Sequence, residues 1–452
     1  MLTDDLKMAE LVAERVSDAG GRVYYVGGFV RDGILGKENK DVDIEVHGIS
    51  CEQLEKILGS IGSKTKMGAS FGIFGLKGYG IDIAMPRTEK ATGRGHKDFE
   101  VFVDPFIGPK KAAERRDFTM NALMQDVLTG EILDYFGGIK DLRDGIIRHV
   151  NDESFAEDPL RVLRAAQFAA RFNFEIADET ARLCSGMGLS SLSRERIMGE
   201  LEKALLKAEK PSVFFEELRK MNQLSYWFPE LEALIAVPQD PKHHPEGDVW
   251  NHTMLTLDCA AKLREAAVNK TGYMISALCH DFGKAVATEF VNGGIHAYMH
   301  EYKGLELIRN FVGRLSKENA LMKYVLNMAE LHMRPNMMVH QHSSDKAFMR
   351  MFDSSLEPDD LLLLAEADYH GSKGLGNYDE IKSVLKEKLE IYRELMAKPY
   401  VQGADLVAAG MSPGPEFREA LDYAHKLRLA GIEKELALKQ TLGLVKTSKG
   451  RN

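Results

Sequence analysis

Leu6, Ala9, Ala13 and Val16 recur at helical spacing and the pattern stops at Gly20-Gly21, which predicts an opening helix closed by a glycine pair. The period then changes to two. Arg22–Val26 reads as a strand, Gly27-Gly28 as a turn, and the next residues as the start of a helix carrying Arg31 and Asp32. In the strand that follows, Val42, Ile44 and Val46 take one face and Asp41, Asp43 and Glu45 the other, so carboxylates converge beside the turn. Residues 51–58 return to helical spacing, and 71–76 and 80–84 read as glycine-flanked strands, which gives a mixed α/β head. Residues 87–97 lack an apolar period and read equally as a mobile loop over the site or as a plain surface loop. Past Pro159 the period is helical: Arg161, Arg164 and Arg171 fall in one arc while Leu163, Ala166, Phe168 and Ala170 occupy most of the rest. Residues 206–235 read as helices broken by Pro211 and Pro229, and 237–253 as a proline-rich junction. The chain to about Leu444 reads as further helices with a break at 411–415, ending in a basic, disordered tail from Lys446.

A chain of 452 residues with 44% hydrophobic content has room for about three compact units. A net charge of -9 excludes a uniformly basic nucleic-acid coat, so any RNA contact must come from local arginine faces. Cys51, Cys184, Cys259 and Cys279 lie far apart without CxxC spacing, and are expected to be buried thiols in a reducing compartment. The acidic N-terminus is unlike a signal peptide and no uninterrupted apolar run approaches about 18 residues, so a cytoplasmic protein is expected.

Paired strand carboxylates beside a glycine turn suit divalent ions that activate a hydroxyl and shield a triphosphate, while a helix N-terminus lets phosphate approach backbone N–H groups. Phosphoryl or nucleotidyl transfer follows. Each half alone also occurs as a plain turn or a solvated face. Their order and separation, GGxVRD and then DxD, resemble motif A of the class II tRNA nucleotidyltransferase and bacterial poly(A) polymerase family. That resemblance implies an α+β, polymerase-beta-like nucleotidyltransferase head with an all-α neck. It implies catalytic Mg2+ at Asp41 and Asp43, with Asp82 either a third carboxylate or a partly buried structural residue. It also implies nucleotide binding by Gly27, Gly28, Arg31 and Asp32, and a flexible loop at 87–97 that takes part in nucleotide addition.

ERRDFTMNAL (114–123) resembles the family's motif B, which implies sugar and triphosphate binding by Arg116, Asp117 and Asn121. Residues 133–145 resemble motif C, a turn joining head to neck in which Asp134 reads as structural. Residues 157–174 resemble motif D. Asp158, Arg161 and Arg164 there would present donors and acceptors to CTP or ATP in place of a nucleic-acid template, against the plain alternative of a solvated arginine face. Gln167 departs from the arginine that many members repeat, which leaves that arginine's phosphate contact open. Residues 192–205 resemble motif E.

A second constellation follows: His252 at a helix start, His280-Asp281 in CHDFGK, His300, His332, and Asp368 in a leucine-rich helix. Imidazoles and carboxylates on separate helices can hold a metal that activates water for phosphoester hydrolysis. The order H, HD, D resembles the HD phosphohydrolase superfamily. This implies His252, His280, Asp281 and Asp368 as ligands of one metal (Mn2+, Co2+ or Ni2+), His300 and His332 as holders of a second, and Lys284 as a phosphate contact. The expected division is a head at 1–145, a helical neck at 146–236 and an HD-type helical domain at 237–452. The implied activity is template-independent CCA addition to the tRNA 3′ end from CTP and ATP, with 2′,3′-cyclic phosphodiesterase or phosphatase activity in the last domain. The alternatives are poly(A) polymerization, addition of only CC or only A, or a metal phosphohydrolase whose head merely binds RNA.

Overall fold

In the computed structural model the chain is described over residues 2–68, 72–91, 99–372 and 376–449. It divides into two units, Met1–Pro229 and Glu230–Asn452.

The first unit is built on a seven-stranded sheet whose strands are β1 (Arg22–Val26), β2 (Val42–His47), β3 (Lys64–Gly68), β4 (Ile73–Leu76) and β5 (Ile81–Ala84), then, after a separate β6 (Arg87–Ala91) and β7 (Phe99–Val103) hairpin, β8 (Met124–Asp126) and β9 (Ile132–Leu133). The strand order is β3-β4-β5-β2-β1-β8-β9. β2 and β5 run parallel and the other neighbours antiparallel. Val42, Ile44 and Val46 are buried, as the alternation requires, and the helix Leu2–Asp18 packs its own buried Ala9, Val12 and Val16 on this part of the sheet. Helices Leu160–Phe172, Arg194–Lys207 and Ser212–Lys220 form the rest of the unit's core.

Several expectations need correction. β3 was not read at all; its polar alternation (KTKMG) gives a weak strand signal. Residues 87–91 are a strand paired with β7 rather than loop, and 92–97, expected as loop, lie outside the described residues. Residues 138–144 form a helix rather than a turn, started by Asp134, whose carboxylate accepts from Gly138 N and Ile139 N at 2.8 and 3.0 Å. Only Cys184 and Cys279 are buried; Cys51 and Cys259 are partly exposed. The last helix runs Lys434–Lys449, through the expected start of the tail, and residues 450–452 lie outside the described residues.

The second unit is helical, with one hairpin, Thr288–Val291 with Gly294–Ala297. Helices Val249–Leu263, Lys270–Cys279, Asn319–Leu331 and Pro358–Gly371 pack around its core. Among the described residues no helix is long and apolar enough to cross a membrane.

Candidate functional site

The parallel pairing of β2 with β5 sets Asp43 directly beside Asp82, and Asp41 stands at the exposed entrance of β2. Burial raises the Asp43 pKa above the usual carboxylate value, the Asp82 and Asp41 charges add to it, and Arg116 opposes. A carboxylate that resists its own ionisation, in an oxygen-only set, fits a hard divalent cation such as Mg2+. On the same strand face Glu45 accepts from Arg116 Nη2 at 3.0 Å and from His47 Nε2 at 2.9 Å. Burial would raise its pKa, and these partners outweigh burial and lower it. Next to it a cavity of about 250 Å³ is lined by Glu45, Arg87, Arg115, Arg116 and Arg161. Four guanidinium groups around one carboxylate favour a polyanion.

A hydrogen-bond chain ties the glycine turn at Gly27 and Gly28 to the helix Leu160–Phe172. Asn39 Nδ2 and Arg31 Nε donate to Asp32 at 2.9 and 2.8 Å, and Arg31 Nη1 donates to Asn121 at 2.7 Å. Asn121 Nδ2 and Arg164 Nε donate to Asp117 at 2.9 and 2.7 Å. The guanidinium of Arg31 also lies 5.3 and 4.7 Å from the ring centroids of Phe168 and Phe172. Asp158 caps the helix through Leu160 N at 3.0 Å and accepts from Arg196 Nη2 at 2.7 Å, while Arg161 donates to the Ser154 and Arg115 carbonyls at 2.5 and 3.0 Å. Gln167 is 1% exposed, inside the core rather than on the arginine face, and its Nε2 has no hydrogen-bond partner.

In the second unit the imidazoles of His252, His280, His300 and His332 turn their Nε2 atoms toward Asp281. Its Oδ2 lies 3.5 Å from His252 and 3.3 Å from His280, and its Oδ1 lies 3.1 Å from His300 and 3.8 Å from His332. Asp368 Oδ1 adds contacts of 2.9 Å to His252 and 3.6 Å to His280. His280, His300 and His332 each donate Nδ1–H to the carbonyl three residues back, Ala277, Ala297 and Ala329, at 2.9, 2.9 and 2.6 Å. His252 Nδ1 donates to Glu246 at 3.0 Å. With Nδ1 engaged in this way, Nε2 is the ring nitrogen each imidazole has left to offer a ligand.

Two glycines make this convergence possible. A Cβ on Gly283 would collide with the His300 carbonyl, and one on Gly371 with Thr256, so larger residues would hold apart the segments that carry Asp281 and His300, and Asp368 and His252.

The donor set fits a metal. Asp281 is 1% exposed, and neither of its oxygens receives a well-directed hydrogen bond. Against the upward push of burial, Lys284 and His280 hold its pKa well below the usual range. Burial would lower His252, yet hydrogen bonds to Asp368 and Glu246 raise it to about 9. In His332, burial and then the neighbouring His280 and His300 push the pKa down to about 3. Four imidazoles converging on the Asp281 and Asp368 carboxylates are the ligand types that a divalent transition ion accepts. Lys284 Nζ lies 2.7 Å from Asp281 Oδ2 and donates to Gln239 at 2.8 Å. A cavity of about 570 Å³ opens over this centre, lined by Lys284, His244, His296, Asn336 and Tyr369 among others.

Sequence reasoning missed His244 and Glu246. Both sit in the stretch read as a junction, and the available signal was the string His-Pro-Glu just before the helix that bears His252.

The family described as "Poly A polymerase head domain" matches residues 23–148, and that described as "Probable RNA and SrmB- binding site of polymerase A" matches 173–235. A solved structure of a CCA-adding enzyme in complex with ATP has a TM-score of 0.68 at 21% identity, covering 98% of this chain and 94% of its own. A Thermotoga maritima CCA-adding enzyme complexed with tRNA has a TM-score of 0.63 at 22% identity, covering 97% and 95%. These establish a shared fold. The Multifunctional CCA protein of Actinobacillus pleuropneumoniae is 35% identical over 368 residues, 79% of this chain and 87% of the relative, and the chain belongs to the family of multifunctional CCA proteins.

Proposed function

We propose that the first unit adds CMP and AMP to the 3′ end of tRNA, using CTP and ATP and releasing pyrophosphate. The observation that carries this is the side-by-side placement of Asp43 and Asp82 beside an arginine-lined cavity. The name of the 35%-identical relative supports CCA addition over poly(A) synthesis. In the reaction the tRNA 3′-hydroxyl loses its proton and attacks the α-phosphorus, a phosphodiester forms, and the bond to pyrophosphate breaks. Asp41, Asp43 and Asp82 would hold Mg2+, which supplies the positive charge that activates the hydroxyl and shields the triphosphate. Arg116, anchored on Glu45, and the neighbouring Arg115 and Arg87 bind the phosphates; Arg31, Asp32, Asp117 and Asn121 shape the sugar side, with Gly27 and Gly28 giving the phosphates room. Asp158, Arg161 and Arg164 read the base, which requires the first two to exchange their present partners for the nucleotide.

The second unit is proposed as a phosphoester hydrolase, a reading supported by the bridging position of Asp281 between two imidazole pairs. His252, His280, Asp281 and Asp368 would hold one metal, and His300, His332 and Asp281 a second. Such ions supply a nucleophilic hydroxide at neutral pH. Lys284 steadies a phosphate oxygen in the cavity, which is roomy enough for a mononucleotide carrying a 2′-phosphate or 2′,3′-cyclic phosphate.

The test offers purified protein a tRNA lacking its 3′ end with CTP alone, ATP alone, and both. The expected outcome is addition of CC with CTP and arrest after CCA with both. Unlimited adenylate addition with ATP alone would instead assign a poly(A) polymerase.

A further inference from the structure

We propose that Glu246 is a positioning residue for the second unit's metal centre, fixing His252 as a ligand and making the two metal positions unequal. This rests on reading that centre as a metal site. The Glu246 side chain is wholly shielded from solvent, and its Oε1 accepts from both His252 Nδ1 at 3.0 Å and His244 Nδ1 at 2.8 Å. The His244 ring lies edge-on to His252, centroids 4.8 Å apart, and borders the cavity. One carboxylate thus grips a ligand and the pocket wall together.

The loop that supplies it is pinned at both ends. Asp248 accepts from Asn251 N at 2.9 Å, which starts the helix Val249–Leu263, and from Ala236 N at 2.7 Å. Val249 N and Trp250 N donate back to the carbonyls of Val237 and Leu234.

The contrast among the four imidazoles makes the proposal specific. His280, His300 and His332 hydrogen-bond their Nδ1 to neutral backbone carbonyls, with the Glu301 carboxylate no nearer than 3.9 Å to His300 Nδ1, whereas His252 hydrogen-bonds its Nδ1 to a carboxylate at 3.0 Å. A carboxylate behind an imidazole raises its basicity toward a metal and fixes ring orientation, and removing such a partner typically costs about 10–100-fold in metal affinity. His252 faces Asp281 Oδ2 and Asp368, while His300 and His332 face Asp281 Oδ1. Loss of Glu246 should therefore weaken the position built on His252 and spare the other.

The measurement is Co2+ titration of the full-length, chelator-stripped protein with Mg2+ present to occupy the oxygen site of the first unit, followed by calorimetry and visible absorption. Wild type should bind two equivalents. Glu246→Gln, which keeps an acceptor but loses the charge, should lower the affinity of one equivalent about 10-fold, and Glu246→Ala about 100-fold, with the other equivalent unmoved. His244→Ala should leave both affinities within about 3-fold, since it removes only the second grip on Glu246. Thermal melting reports whether each variant is folded. Two unchanged equivalents in Glu246→Ala overturn the proposal alone, and so does equal weakening of both equivalents together with a lowered melting transition, which would make Glu246 a support of the loop. A wild type that takes up no Co2+ overturns the metal-centre reading and the proposal with it.

Discussion

Asp43, proposed to hold a cation, occupies a place that conflicts with folding when none is bound. It sits beside Asp82 on the adjacent strand, and burial with the neighbouring charges raises its pKa. A carboxylate with a raised folded-state pKa ionises first in the unfolded chain as pH climbs. Stability is lost between the unfolded value of about 4 and the folded value, and stays lost above it. At pH 7 without Mg2+, Asp43→Asn should melt higher than wild type, and the gap should close below about pH 4. Adding Mg2+ should raise the wild-type transition and leave the variant's in place, while nucleotide addition by the variant falls by orders of magnitude. A variant that melts lower than wild type both with and without Mg2+ would show that Asp43 is structural.

At the scale of elements, the helix Leu160–Phe172 is held as a rigid platform by Asp117, whose carboxylate takes Arg164 on one oxygen and Asn121 and Phe118 N on the other. Burial would raise the Asp117 pKa, but Arg164 and Asn121 outweigh it and lower it. A lowered carboxylate pKa contributes stability that is complete above the unfolded value and fades as pH falls through the folded one. Asp117→Ala should therefore cost about 2–3 kcal/mol near neutral pH, because it takes the nearest acceptor from the Arg164 guanidinium and the Asn121 amide N–H, and less on acidification. Urea unfolding at two pH values checks this; a penalty that grows in acid would point to another cause. The helix itself was legible from its arginine arc, because a 3.6-residue period leaves its mark on a continuous stretch. So was β2, through the alternation of Val42, Ile44 and Val46 with Asp41, Asp43 and Glu45. β3 and β6 were not, since KTKMG and RTEKA carry no apolar alternation although each pairs with the next strand in the chain. The acceptor behind His252 escaped for a related reason: Glu246 lies in a stretch without any period. Asp158 and Arg161 show the opposite limit. Their positions were readable, but their present partners, Arg196 and two carbonyls, could not be read from spacing.

At the scale of the whole molecule, the two units carry donor sets of opposite character. Asp41, Asp43 and Asp82 offer oxygen donors, which suit a hard ion such as Mg2+, while the centre at Asp281 mixes imidazole nitrogen with carboxylate, which suits a transition metal. Among the described residues, the groups of three or more ligating side chains with all candidate atoms within 4.8 Å fall on His244, Glu246, His252, His280, Asp281, His300 and His332, all in the second unit. Each unit also has a buried core and a cavity of its own. If the two units hold different metals as proposed, their chemistries are separable by mutation. His280→Ala removes one imidazole from the position shared with His252, so hydrolysis of 2′,3′-cyclic nucleotides in Mn2+, Co2+ or Ni2+ should fall at least 100-fold, the scale of losing a metal ligand or its direct support. Extension of tRNA in Mg2+ should stay within about 2-fold of wild type, because no donor of the oxygen site is touched. Both assays on one preparation decide the matter. Parallel loss of extension would show that the second unit supports tRNA binding, and a wild type without hydrolysis in any of these metals would leave the first unit as the molecule's enzyme and the histidine centre as a structural metal site.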